Sequence, residues 1–399
     1  MVGVRPGTTI VTGATGYLGS LIAAKLLAET DAHLIIPARP HHSPESVIAR
    51  IIGESLHAGA LHASNLERRI TVVALPPNES IPRLAGELQG RDINDIIHCA
   101  GCVDYFNSRG LTEGNVELTR SMVALGKELK VRRFTFVSTA FSAGYSVNAI
   151  AERLHPDADE DPTEYTQSKR CAERIVASSG LPYLIVRPSI VIGNSRDGRY
   201  NGKRYGVYQL WAAAEKIMCA QYHPRIYAIA PRMGLPLIHQ DAFQAGFYAG
   251  YCDLPDDSVF HLVSRLETLP TVRDVWDLWL TVCSRPREAY YFDRLEDVPM
   301  EKLSRQQQMW VELTAVNLDI SCRPWNFETA TLDHMRRGGL EFADVTLETI
   351  ATCQDRFIFD SPRVREFMEK YAVEREAEPN LIECGAGDSN LENLFNAAS

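Results

Sequence analysis

No apolar run in this 399-residue chain reaches the length of a membrane span, because charges or prolines interrupt every stretch, so no spanning helix is expected. A basic surplus is missing too. Lys and Arg number 41 against 51 Asp and Glu, and a net charge of −10 argues against a nucleic-acid partner. No signal peptide is expected, since one arginine precedes Thr8-Thr-Ile-Val-Thr12. Nine scattered cysteines, an odd number in a large chain, fit a reducing compartment, and a cytoplasmic location is expected. Cys99-Ala-Gly-Cys102 lacks a second pair at zinc-site spacing, so no metal is expected. Internal repeats and long low-complexity tracts are also absent.

What is present reads as a large α/β protein. Apolar content of 45% and charged content of 23% are ordinary for a globular chain. Up to about residue 190, short β-branched runs alternate with helical patterns, the signature of a parallel sheet with crossover helices. Strands are predicted at Thr9–Val11, Leu34–Pro37, Ile70–Ala74, Asp95–His98, Arg133–Ser138 and Tyr183–Arg187. Helices are predicted at Leu18–Leu27, Pro44–Glu54, Leu111–Leu129 and Glu164–Ser178. The expected fold is a Rossmann-type doubly wound parallel sheet over 1–195, with strands from about 235–265 returning to it. A smaller, mainly helical substrate lobe is expected over 196–372, followed by a flexible acidic tail over 373–399.

Gly13, Gly16 and Gly19 follow the first strand and head the next helix. Glycines at that spacing allow a tight turn, close approach of backbone to a pyrophosphate, and tight helix-on-strand packing. The helix N-terminus adds free N–H groups for phosphates. Gly13, Thr15, Gly16, Tyr17, Leu18 and Gly19 are therefore candidate cofactor contacts. The second strand ends Ile36-Pro-Ala-Arg39, with no acid between Asp31 and Glu45, and Arg50 follows on the next helix. An arginine there suits the 2′-phosphate of NADP, where an acid would suit NAD, so NADPH is the expected cofactor. The small residues Cys99, Ala100 and Gly101 end the fourth strand, where they would let it touch the cofactor. Asn115 in the following helix is read as binding neighbouring backbone.

Phe136-Val-Ser-Thr-Ala140 closes the fifth strand, at the sheet edge where α/β ligands bind. Among fifteen tyrosines, only Tyr165 has a lysine four residues on, Lys169, and that spacing puts both on one helix face. A neighbouring ammonium lowers a phenol's pKa from about 10 toward neutrality, poising it for proton transfer. The locally basic run Arg196–Arg204 has two readings, a solvated loop or a contact for the phosphates of a substrate carrier.

These residues, in this order, resemble the extended short-chain dehydrogenase/reductase family. The stretches Ile97–Tyr105, Gly114-Asn-Val116 and Phe136–Ala140, with Arg39 and Arg50, are most similar to thioester reductase domains and fatty acyl-CoA reductases. The resemblance covers roughly residues 8–265. It implies a Thr139, Tyr165 and Lys169 catalytic set, with Ser138, Tyr165, Lys169, Pro188 and Ser189 also flanking the cofactor. It further implies NADPH-dependent reduction of an acyl thioester, on CoA or on a carrier protein supplied in trans, to an aldehyde or onward to an alcohol. One departure is Val73-Ala-Leu-Pro-Pro77, where the family usually has Gly-Asp near the adenine. The same core would equally serve a ketone, alcohol or nucleotide-sugar enzyme. A binding protein that senses NADPH is a third reading, disfavoured because both Tyr165 and Lys169 are present.

Overall fold

Runs rich in Ile, Val and Phe form a seven-stranded sheet in the computed structural model of the chain, which describes residues 7–60, 63–104, 107–146, 148–158, 160–315 and 323–384. The chain divides into two compact units. The first comprises 1–191, 238–263 and 326–343, and the second 192–237, 264–325 and 344–399.

The strands of the first unit are β1 (Thr8–Thr12), β2 (His33–Ala38), β3 (Ile70–Ala74), β4 (Ile93–His98), β5 (Arg133–Val137), β6 (Tyr183–Pro188) and β7 (Ser258–Leu262). Their order is β7-β6-β5-β4-β1-β2-β3, and every neighbouring pair is parallel. The helices α1 (Tyr17–Glu29), α2 (Pro44–His57), α3 (Leu118–Leu129), α4 (Glu164–Ala177) and α5 (Gln240–Asp253) cover it. Alternate side chains on each strand face opposite ways, and both faces are apolar because both are covered. Ile10, Ile35, Ile96, Phe134, Phe136 and Ile185 pack with Leu118 and Met122 of α3 and Ala172 and Val176 of α4. Val11, Leu34, Ile36, Ile97, Leu184 and Val186 pack with Leu21, Ile22 and Leu26 of α1 and Phe243 and Phe247 of α5. Each such burial is worth roughly 1.5–3 kcal/mol, so the sheet's position is strongly specified.

The strand order reverses at β1, which has β2 on one side and β4 on the other. A crevice therefore opens beyond the carboxyl ends of β1 and β4, the place where open α/β sheets bind ligands. The observed strands and helices follow the expected ones, with two exceptions. Of the strands expected to return to this sheet from about 235–265, Ser258–Leu262 does so, whereas Leu237–His239 pairs with Ile190–Ile192 in a separate two-stranded sheet. The helix expected over Leu111–Leu129 begins instead with a π-helical stretch, Thr112–Glu117, ahead of α3. Residues 326–343, expected in the substrate lobe, belong to the first unit. The cause is packing. Leu332 and Met335, on α6 (Ala330–Arg337), join the α1–α5 core, and the Glu328 carbonyl lies 2.8 Å from His261 Nδ1 on β7.

The second unit contains the expected helices, among them Val207–Ile217, Val272–Trp279 and Leu347–Asp360. They accompany a three-stranded parallel sheet that the sequence reading did not foresee. Glu288–Phe292 is its middle strand, between Arg225–Ile229 and Asn380–Glu383. The last of these lies in the stretch expected to fray, which is corrected accordingly: its backbone pairs with Glu288–Tyr291. Residues 385–399, the rest of that expected tail, lie outside the described residues, as does Tyr105. Trp276 and Trp310 meet edge to face at 5.0 Å in the core of this unit, and Trp310 Nε1 donates to the Tyr227 carbonyl at 3.1 Å.

Candidate active site

Gly13 turns the chain after β1 with φ +76°, a conformation that disfavours side chains. A Cβ there would stand 2.6 Å from Ala100 N, so the glycine is what lets this turn lie against the end of β4. A Cβ on Gly19 would stand 2.3 Å from the Gly13 carbonyl oxygen. Between them, Gly16 begins α1 with no side-chain cap, and the first turn holds no acid. The result is a cradle of backbone at a bare helix N-terminus, which suits a pyrophosphate by geometry and by the helix dipole. The side chains of Tyr17 and Leu18, the next two candidate cofactor contacts, pack toward the protein. The Tyr17 hydroxyl donates to Gln240 Oε1 at 2.9 Å, and Leu18 packs against the α1–α5 core.

His98 holds the floor of this crevice. Its Nδ1 lies 2.7 Å from Thr12 Oγ1 and its Nε2 3.0 Å from Thr119 Oγ1. Thr119 already donates to the Asn115 carbonyl at 2.6 Å, so it accepts from His98, whose Nε2 carries the proton. Thr12 then donates to Nδ1 while accepting from the backbone of Cys99 and Ala100, each at 3.2 Å. Burial first, and the nearby Lys169 second, push this imidazole down to about 3, so it stays neutral. Asn115, on the π-helical stretch, accepts from Cys102 N at 2.7 Å and donates to Cys102 O and to Ser168 Oγ, both at 2.9 Å. It does bind neighbouring backbone, and through Ser168, which donates to the Tyr165 carbonyl at 2.7 Å, it also fixes α4.

The three expected proton-handling residues all lie in the first unit. Thr139, extended and 6% exposed, follows β5 and caps the 3₁₀ turn Ala140–Ala143. Tyr165 and Lys169 sit one turn apart near the start of α4, which Thr163 caps by accepting from Thr166 N. Lys169 is 5% exposed; its Nζ donates to the Val137 carbonyl at 2.7 Å and lies 4.2 Å from the Phe136 ring centroid. Burial brings its pKa down to about 8, against the opposing pull of Cys99 and Glu173. Burial likewise pushes the Cys99 thiol up to about 12, which keeps it an inert small side chain here.

Sequence reasoning missed Glu173. It lies on the same stripe of α4 as Tyr165 and Lys169, and is 1% exposed. Its Oε1 accepts from Ser138 Oγ at 2.5 Å, Ser142 Oγ at 2.7 Å and Arg187 Nε at 2.9 Å. Its Oε2 accepts from Arg187 Nη2 at 2.7 Å. Burial opposes its charge, but Arg187 and the hydroxyls outweigh that and hold its pKa below the usual carboxylate range. Glu173 thus ties α4 to the segment that carries Thr139 and to the end of β6. The signal was available: Arg187 in an otherwise apolar strand demands a buried carboxylate. Ser138, expected as a cofactor contact, gives its hydroxyl to Glu173 and its N–H to the Val186 carbonyl.

Pro188 ends β6 and Ser189 follows it. Ser189 Oγ is buried and has no hydrogen-bond partner among the described residues. At the end of β2, Arg39 is exposed and Arg50 on α2 is half-buried. Arg50 Nε donates to Ser20 Oγ at 3.2 Å, and that hydroxyl donates to the Tyr17 carbonyl at 2.8 Å, so Arg50 is anchored to the first turn of α1. The uncapped glycine cradle and the orphaned Ser189 hydroxyl both fit a bound dinucleotide. No group of three or more His, Cys, Asp or Glu capable of holding a metal occurs among the described residues, and no described helix is long and apolar enough to cross a membrane.

This strand order and glycine cradle define a nicotinamide-dinucleotide-binding domain of the extended short-chain dehydrogenase/reductase type. The family model described as "Male sterility protein" matches residues 11–231, more than half of the chain, and the chain belongs to that family. Over 285 residues it is 24% identical to fatty acyl-CoA reductase 1 of Mus musculus, a match covering 60% of this chain and 54% of that protein. It is 29% identical over 220 residues to the isonitrile lipopeptide synthase of Streptomyces coeruleorubidus, covering 52% of this chain and 14% of the synthase. The chain thus spans about half the length of the first relative and a small part of the second. Among solved structures, the terminal R domain from the myxalamid PKS-NRPS pathway superposes with a TM-score of 0.69 at 20% identity, covering 90% of this chain and 92% of that one. The UDP-glucose 4-epimerase of Thermotoga maritima superposes with a TM-score of 0.58 at 15% identity, covering 88% and 99%. These two structures share the fold.

Proposed function

We propose that the chain is an NADPH-dependent reductase of acyl thioesters carried on CoA or on a carrier protein, releasing an aldehyde, with Thr139, Tyr165 and Lys169 as its catalytic residues. The observation that carries the reading is Lys169. A dehydrated ammonium, held by the Val137 carbonyl one turn from Tyr165, is of little use to stability and suits a proton-transfer site. The dinucleotide, when bound, supplies hydride to the thioester carbonyl carbon. Thr139 and Tyr165 donate hydrogen bonds to the carbonyl oxygen as charge develops on it, which is where stabilisation lowers a barrier. Tyr165 passes its proton to that oxygen, and the Lys169 charge favours the phenolate left behind. The resulting hemithioacetal breaks its C–S bond to give thiol and aldehyde.

Both the fatty acyl-CoA reductase relative and the synthase relative support a thioester substrate, and Arg39 with Arg50 supports NADPH. The test is to mix the purified protein and NADPH with acyl-CoA and acyl-carrier substrates and to follow the nicotinamide absorbance. Thioester-dependent consumption with stoichiometric release of thiol is expected. Turnover of a small ketone or a nucleotide-sugar, with no thioester consumed, would overturn the reading.

A further inference from the structure

We propose that His42 is a specificity residue for the dinucleotide's 2′-phosphate that takes up a proton when the phosphate binds, completing a cationic cluster with Arg39, His41 and Arg50. The inference rests on the NADPH reading above and adds a mechanism of recognition to it. Its basis is geometric. The His42 N–H donates to the Arg39 carbonyl at 3.0 Å, closing a turn that brings the two residues together at the end of β2. The His41 and His42 rings lie 4.1 Å apart between centroids, tilted by 43°. Arg50, on α2, is anchored to Ser20 in the first turn of α1 behind the glycine cradle, and its charge is felt at His42.

The charge around His42 is one-sided. Burial lowers its pKa first, and His41, Arg39 and Arg50 lower it further. Glu45, in the first turn of α2, is exposed and is not among the groups that act on His42. In the free protein His42 is therefore neutral near pH 7. A phosphate dianion placed among these groups reverses the local field, so the reason for staying neutral disappears. The bound state then holds more protons than the free one. By linkage, affinity must fall as pH rises through the His42 pKa of the complex. A second titration acts on the other side. The phosphate's own second pKa is near about 6, so binding also weakens below it. NADPH affinity should pass through an optimum, whose alkaline limb belongs to His42 and whose acid limb belongs to the ligand. NADH, lacking the phosphate, should show neither limb.

The experiment is calorimetric titration of the full chain with NADPH, NADH and 2′,5′-ADP, for wild type and His42→Gln, in buffers of different ionisation enthalpy. From about pH 6.5 to about pH 8.5, wild type should lose roughly tenfold in NADPH and 2′,5′-ADP affinity, with proton uptake on binding. His42→Gln should bind at the weak value throughout, with no alkaline limb and no uptake. An alkaline limb and proton uptake that are unchanged in His42→Gln would overturn the proposal, as would a wild type that shows neither. Equal affinity for NADH and NADPH in wild type is a different failure, because it would sink the NADPH reading itself. Selectivity retained with a flat pH profile sinks only the role of His42.

Discussion

Glu173, on the helix that carries Tyr165, and Arg187, near the end of β6, are 1% and 0% exposed and bonded through both carboxylate oxygens. At the end of β2, by contrast, Arg39 and His41 are exposed, Arg50 and His42 are half-buried, and no acid occurs between Asp31 and Glu45. One region holds its charges dry and paired, and the other keeps Arg39 and His41 exposed to solvent. Under the proposed function, the difference follows from what each region would do. A charge that directs a proton has to be fixed before the reaction begins, since reorganising solvent would raise the barrier. A cation that captures a phosphate must find its partner in the ligand, so an internal carboxylate would compete with it.

The largest effect expected from that contrast is on the dry side. Tyr165→Phe keeps the ring and removes the hydroxyl, and should lower kcat roughly 10²–10⁴-fold while leaving the dissociation constant for NADPH nearly unchanged. Stopped-flow reduction of the thioester, paired with a binding titration, measures both. A variant with normal kcat would mean that the phenol is not the proton donor, and the division of labour between the two regions would collapse.

Next in size is Glu173→Ala, which leaves Arg187 buried without a counter-charge and strips the acceptor from Ser138 and Ser142. Breaking a buried pair in this way costs about 3–5 kcal/mol, which chemical denaturation would register as a large fall in midpoint. The double variant Glu173→Leu with Arg187→Met removes both charges and should recover much of the loss. If the double variant is as unstable as the single one, the damage comes from lost hydroxyl partners rather than from the orphaned guanidinium. Arg39→Ala tests the wet side and should show the opposite pattern. Losing hydrogen bonds to a charged phosphate weakens NADPH binding by about 1.5–3 kcal/mol, yet an exposed arginine without an internal partner should leave the melting temperature where it was.

The two regions were also unequally legible. The β1 turn was readable because Gly13 and Gly19 are required by backbone approaches of 2.6 and 2.3 Å, constraints that only one residue type satisfies. The placement of Arg39 just beyond β2 was readable too, because the apolar run Leu34–Pro37 marks the strand that ends there. Glu173 was not, because its role exists only when α4, β6 and the Ser138–Ser142 segment meet, and none of those contacts is local. The strand Arg225–Ile229 pairs with Glu288–Phe292, some sixty residues on, and Asn380–Glu383 pairs with Glu288–Tyr291 from later still. Short strands surrounded by helices have too little periodicity to stand out, so their sheet became visible only in three dimensions.

The smallest expected effect sharpens the comparison through pH. Burial brings Lys169 to about 8, against an ordinary lysine value of 10.5. The proposed mechanism needs its ammonium, so kcat/KM should be level below about pH 8 and fall about tenfold per unit above it. Measuring kcat/KM for NADH isolates this limb, because under the proposal a cofactor without the 2′-phosphate is blind to the Arg39–His42 cluster. Stability should move the other way. Between the folded value near 8 and the unfolded value of 10.5, the unfolded chain binds the proton more tightly, so Lys169 contributes stability that grows as pH rises through that window. In Lys169→Met that increment should vanish from the pH profile of the denaturation midpoint. Activity falling while stability climbs, both through one buried amine, is a signature that a wet lysine on the other side of the sheet would not produce.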